Sequence, residues 1–150
     1  MTLRASLGSG EVTFHATRGS RGVDVHIRNV CVPGMSDGLH GFHIHERGDT
    51  TNGCASMGGH YDSAGDGNRH GGLNDVRRHR GDLGNVTSRD ECLLDGMIHV
   101  PNLTLEEIRG RGLVLHERED DLGRGGTHES HTTGSAGKRI SCGTIDSMGT

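Results

Sequence analysis

Two histidines one residue apart, His43 and His45 in Gly41-Phe42-His43-Ile44-His45, are the first residues of this 150-residue chain whose spacing allows chemistry. An extended backbone sends residues i and i+2 to the same face, so both imidazoles project to one side of a strand and can chelate one metal ion. Taken alone, such a pair reads at least as well as two solvated surface histidines. Downstream, His60, His70, His79 and Asp82 fall within one glycine-rich stretch, and His116 follows between Leu115 and Glu117. Six histidines and an aspartate, with no cysteine pair at CxxC spacing, describe nitrogen and oxygen sites suited to zinc or copper rather than to an iron–sulfur cluster.

Strands must position these side chains. EVTFHATRG (Val12, Phe14, Ala16) and VDVHIRNV (Val23, Val25, Ile27), joined through Gly19 to Gly22, alternate and predict an antiparallel hairpin with one apolar face. GLHGFHIHE, MIHVPNLT, GLVLHE and KRISCGTI add four more candidate strands, and helical periodicity is weak throughout. Short strands between glycine-rich turns predict an all-β sandwich or barrel. Arg47 to Gly81 and Asp120 to Gly137 do not alternate. Loops of that length in a compact domain are as a rule functional, and these two hold most of the histidine, aspartate and glycine outside the strands.

Composition fits a single domain over residues 1–150 with a thin core. Hydrophobic residues make up 29% and aromatic residues 2%, and only 29 side chains are Leu, Ile, Val or Phe. Core-poor domains are commonly reinforced by metals, disulfides or a partner chain, and 12 His and 4 Cys are at hand. A net charge of −4, with the arginines scattered among acids, excludes a nucleic-acid binder. One Tyr and two Phe leave no platform for stacking bases. No apolar run approaches the roughly 18 residues of a membrane span. The opening MTLRASLGSG lacks the apolar stretch of a signal peptide, from which a soluble, cytoplasmic protein is expected.

GLHGFHIHERGDTTNGCASMGGHYD, HGGLNDVRRHRGDLGNV, LVLHEREDDLGRGG and TTGSAGKRISCGTI resemble, in order, the signature blocks of copper/zinc superoxide dismutases. The resemblance covers most of the chain from Gly38 to Ile145. It implies an eight-stranded Greek-key β-barrel, immunoglobulin-like in its sandwich architecture, with two long functional loops. It also implies dismutation of two superoxide anions to oxygen and hydrogen peroxide by Cu(II)/Cu(I) cycling. Copper would be bound by His43, His45, His60 and His116, and zinc by His60, His70, His79 and Asp82. His60 would bridge the two ions, since an imidazole loses both ring protons only with a cation at each nitrogen.

Further roles follow from the same resemblance. Arg139 in GKRISC matches the arginine that orients the anionic substrate, and Asp120 the carboxylate that links a copper histidine to a zinc histidine. His40 would bond to backbone, while His15, His26, His99, His128 and His131 match no ligand. Cys54 would pair with Cys142, closing an 88-residue separation, worth about 4 kcal/mol if unstrained. Cys31 and Cys92, brought to one end of such a barrel, either form a second disulfide or remain two buried thiols.

The chain departs from the family pattern in three places. The zinc loop YDSAGDGNR is about two residues longer than usual, with Gly65 and Gly67 where proline is common. Positions that carry apolar dimer contacts in the animal and plant enzymes hold Arg47, Arg109 and Ser147, so a monomer or a rewired homodimer is expected; unpaired arginines inside an interface cost several kcal/mol. The loop GRGGTHESHTTG keeps Glu129 but carries histidines, which leaves Arg124, Lys138 and Arg139 to draw in the anion. A non-catalytic metal-binding or copper-delivery relative is the alternative. Such relatives typically lose a copper ligand or the arginine, whereas His43, His45, His60, His116 and Arg139 are all kept.

Overall fold

The predicted hairpin forms in the expected register. In the computed structural model, which describes residues 1–62, 70–73, 78–125, 127 and 134–147, β2 (Gly10–Ala16) pairs antiparallel with β3 (Gly22–Cys31). Val12 lies opposite Ile27 and Phe14 opposite Val25, and all four are buried. Ala16, at the strand end, is exposed. The remaining strands are β1 (Thr2–Leu7), β4 (Gly38–His45), β5 (Asp82–Arg89), β6 (Leu93–Pro101), β7 (Gly112–His116), β8 (Arg139–Thr144) and β9 (Asp146–Ser147).

All pairings are antiparallel, in the order β8-β7-β4-β5-β6-β3-β2-β1-β9. Since β8 and β9 are separated by Ile145 alone, one stretch of chain pairs with β7 at its start and with β1 at its end. The sheet is thereby a nearly closed barrel, which covers most of the edge hydrogen-bonding groups that an open sheet exposes. β3 crosses to pair with β6 and β4 with β7, the connections of a Greek key. β1, β5 and the two-residue β9 go beyond the six strands read from the sequence. Leu3, Ala5 and Leu7 of β1 alternate inward and are buried. In β5 the alternation is masked because buried Asp82 and half-buried Asn85 serve the site rather than the core.

Leu3, Leu7, Phe14, Phe42, Ile44, Leu94, Leu113 and Leu115 fill the interior. On β4 the inward Phe42 and Ile44 alternate with His43 and His45, which face outward but are buried beneath the loops. The strand thus anchors the metal ligands on a packed wall. A short helix, α1 (Leu105–Ile108), begins at a capping box in which the Thr104 hydroxyl accepts from the Glu107 N–H and the Glu107 side chain accepts from the Thr104 N–H. Glu107 also accepts from Tyr61 and Arg80, tying α1 to the chain around the zinc ligands.

Both cysteine pairs are bonded, Cys54 to Cys142 and Cys31 to Cys92. The choice left open for Cys31 and Cys92 falls to the disulfide because the end of β3 meets the β5–β6 turn, where the Val32 N–H donates to the Cys92 carbonyl at 3.0 Å. Gly65 and Gly67 of the zinc loop, and His128, Glu129 and His131, lie outside the described residues.

Candidate metal centre

Three strands and the long β4–β5 connection bring the predicted ligands together. His43 and His45 come from β4, Asp82 from the start of β5 and His116 from the end of β7. His60 is carried in by a bridge to His45 and His70 by the following loop. The neighbouring His79 backbone N–H donates to Asp82 Oδ2 at 2.8 Å.

Hydrogen bonding sets which nitrogen of each ring faces the centre. His45 Nδ1 donates to the Gly58 carbonyl at 2.8 Å and His116 Nδ1 to the Gly137 carbonyl at 3.0 Å, so each directs Nε2 inward. His43 does the reverse, donating from Nε2 to Asp120 Oδ2 at 2.6 Å. Among the described residues, the buried side-chain polar atoms without a hydrogen-bond partner include, in this cluster, His43 Nδ1, His45 Nε2, His60 Nε2 and His116 Nε2, while His70 Nδ1 faces Asp82. Buried polar atoms are seldom left unpaired, and orphans concentrated on facing imidazoles indicate lone pairs kept for a cation. The ligand atoms of His43, His45, His60 and His116 lie within 4.8 Å of one another and supply the all-nitrogen set that suits copper.

The second set faces the other side of His60. Asp82 Oδ1 lies 2.8 Å from both His60 Nδ1 and His70 Nδ1 and 3.4 Å from His79 Nδ1, which is itself 3.4 Å from His60 Nδ1. Ligands about 2.0 Å from a tetrahedral zinc are separated by about 3.3 Å, so three imidazoles and one carboxylate at these spacings fit that ion. His43 also approaches this group, because its ring lies at 33° to His60 with centroids 4.0 Å apart, but its unpartnered Nδ1 faces His45, His60 and His116 in the first set.

Electrostatics keep most of the cluster ready for cations. Burial drives His43 and His45 well below the usual imidazole range, helped by the neighbouring His60, and lowers His60 itself against the pull of Asp82. His116 is lowered to about 4, again chiefly by burial. These rings are therefore neutral at ordinary pH, as ligands must be. His70 is the exception. Burial pushes it down, but hydrogen bonds to Asp120 and Asp82 outweigh this and raise it to about 9. Burial would raise the Asp82 carboxyl, yet its contacts with His60, His70 and His79 hold it well below the carboxylate range.

Asp120, 1% exposed, receives His43 on one oxygen and His70 on the other, both at 2.6 Å. It thereby locks one ring of each set. Its backbone is held by Asn85, which accepts from the Asp120 N–H at 2.7 Å and donates to its carbonyl at 2.9 Å. Gly134, at φ +78, passes so close that a Cβ would collide with the Asp120 carboxylate and His70. Arg78 donates to the carbonyls of His79, Arg80 and Asp82, clamping the zinc ligands' backbone. Asn85, Gly134 and Arg78 were not found from the sequence. No residue type or spacing marks a side chain whose work is to hold another's backbone.

Arg139, at the start of β8, donates to the Cys54 carbonyl at 2.8 Å and to the Gly58 carbonyl at 2.5 Å. Gly58 also receives His45, so one carbonyl fixes both the cation and a copper ligand. With Cys54, Ala55 and Lys138, Arg139 lines an opening of about 470 Å³.

The family model described as copper/zinc superoxide dismutase (SODC) matches residues 8–145. The chain belongs to the copper/zinc superoxide dismutase family. It is 48% identical over 139 residues to a Drosophila melanogaster protein named extracellular superoxide dismutase [Cu-Zn], covering 91% of this chain and 74% of the relative. It is 47% identical over 123 residues to the Caenorhabditis elegans protein of the same name, covering 80% of this chain and 55% of the relative. The chain therefore spans about half the length of the nematode protein. Both metal sites of a copper/zinc superoxide dismutase are intact, with His60 between them.

The expected cytoplasmic location is overturned. Both relatives are named extracellular, and this superoxide dismutase family member carries two disulfides. Such bonds persist in oxidising surroundings. The expectation rested on an apolar segment being absent at the start, which says nothing positive about where the folded chain works.

Proposed function

We propose that this chain converts two superoxide anions to oxygen and hydrogen peroxide, with copper on His43, His45, His60 and His116 and zinc on His60, His70, His79 and Asp82. The observation that carries the reading is the set of buried, unpartnered nitrogens of His43, His45, His60 and His116 facing one another, with Asp82 gathered among His60, His70 and His79 on the other side of His60. Copper held there would supply the one-electron Cu(II)/Cu(I) couple, and zinc held by the second set a fixed positive charge beside His60. The chain's own groups do the rest. Arg139, its guanidinium set by the Cys54 and Gly58 carbonyls, draws a small anion into the opening and orients it, aided by Lys138. His60 Nε2, buried and without a protein partner, can hold a proton between half-reactions and pass it to the departing peroxide, water giving the second. Asp120 keeps His43 and His70 in the orientation both sets need.

Export from the cell is part of this reading, supported by the names of the relatives and by the two disulfides. So is the absence of the usual dimer, as a monomer or a rewired pair, because charged Arg47 and Arg109 and polar Ser147 do not make an apolar contact. Arg47, Arg109 and Ser147 are all exposed, and Arg47 is occupied by Glu46 at 3.6 Å.

The test is superoxide consumption by the chain loaded with both metals. A second-order rate constant near the diffusional ceiling, about 10⁸–10⁹ M⁻¹ s⁻¹ and falling as salt is added, is expected. Full copper and zinc occupancy with consumption no faster than in buffer would instead make this a metal-binding relative without the activity.

A further inference from the structure

The sequence contains two Asn-x-Thr triplets without an intervening proline, Asn85-Val86-Thr87 and Asn102-Leu103-Thr104. This is the acceptor pattern for an N-linked glycan in an exported protein. We propose that Asn102 is a glycosylation site and that Asn85 is not. The proposal rests on the export reading given above.

The two asparagines differ in what their side-chain amides are doing. Asn85 Nδ2, the atom that would take the sugar, donates to the Asp120 carbonyl at 2.9 Å, while Oδ1 accepts from the Asp120 N–H. The contact is half-buried against the aspartate that orients His43 and His70. A sugar at Nδ2 would push Asp120 away and misplace a ring of each metal set.

Asn102 stands in the turn between β6 and α1 and is exposed. Its backbone is fully engaged, the N–H donating to the Arg21 carbonyl at 2.9 Å and the carbonyl accepting from Arg80 at 2.6 Å. Its side chain makes no hydrogen bond to the described residues. At φ +60 it adopts the left-handed conformation that asparagine tolerates better than most residues. Beside it Ala16, Arg21, Leu103 and Leu105 line an open groove of about 230 Å³, giving a first sugar room without disturbing the core. Thr104 serves twice in succession. Its hydroxyl completes the acceptor triplet on the nascent chain, then caps α1 once the fold forms.

The reaction needs an oligosaccharide carried on a polyprenyl diphosphate. Asn102 Nδ2 attacks the anomeric carbon, an N–C bond forms as the carbon–oxygen bond to phosphate breaks, the lipid diphosphate leaves, and Nδ2 loses one proton. No electrons change hands.

The full chain, placed behind an added secretion signal in a eukaryotic host, can be compared with Asn102→Gln. A mobility shift that peptide N-glycosidase removes, mapped by mass spectrometry to Asn102 alone and lost in Asn102→Gln, is expected. Specific activity should agree within twofold between glycosylated chain and variant. Secreted, folded chain with no glycan, or with the glycan on Asn85, would overturn the proposal. Because the added signal imposes export, such a failure does not touch the extracellular reading. That reading is tested separately by whether the untagged protein leaves its own cells.

Discussion

Asp120 carries more of the site than any residue that does not touch a metal. Its carboxylate accepts from one imidazole on each oxygen, His43 and His70 at 2.6 Å each. Asp120→Asn puts an NH₂ where one of those acceptors was. Copper and zinc affinity should each fall about 10- to 100-fold, measured by chelator competition, with the barrel still folded; affinities within twofold of wild type would remove Asp120 from this role. Arg139 acts on the anion. Arg139→Gln should keep both metals, lower kcat/KM about tenfold and weaken its salt dependence, whereas unchanged steady-state kinetics would return the arginine to a structural role. At this scale the sequence was most legible. The residues that the fold gathers at the metal centre could be named from residue type, strand spacing and family blocks, because a metal accepts few kinds of side chain. Asn85 and Gly134 were not legible, since their partners meet them only through the fold.

Among the elements, α1 rests on Glu107, whose carboxylate accepts from Arg80, Tyr61 and the Thr104 N–H. Burial would raise this carboxyl, but those donors hold it at about 2 against an ordinary 4.5. A carboxyl lowered by folding contributes stability that is fully present above 4.5 and is lost as pH falls towards 2. Glu107→Gln should therefore cost about 2 kcal/mol at neutral pH, and its gap to wild type should close in acid. Urea unfolding at stepped pH checks this, and a gap independent of pH would contradict it. The Cys31–Cys92 bond spans 61 residues. Replacing both by serine should cost about 2–4 kcal/mol with metal content unchanged; a melting temperature equal to wild type would deny it a stabilising role. Four of the candidate strands and the hairpin were legible from alternation. β5 was hidden because Asp82 and Asn85 occupy positions that apolar residues would otherwise mark. Thr104-x-x-Glu107 signalled α1 as a capping box, a pattern short enough to pass unread beside weak helical periodicity.

For the molecule as a whole, the charges of Arg47 and Arg109 and the polar Ser147 predict a monomer or a rewired dimer in place of an apolar interface. Light scattering at micromolar concentration should return the mass of one chain, 15.9 kDa, or of a pair whose arginines stay solvated. A stable dimer with both arginines buried against apolar atoms would contradict that. Barrel closure was legible only in outline, because the pairing of β9 with β1 depends on two exposed residues after Ile145. The working compartment was misread, since location is not encoded in the packing of a core. The account turns on the ring of His60. It is tested most directly by a crystal structure of the chain grown with both metals, using anomalous scattering at the copper and zinc edges. The expected result is one peak about 2 Å from each ring nitrogen of His60, copper at Nε2 and zinc at Nδ1. A peak at only one nitrogen with copper oxidised, or at neither, would contradict the shared ring.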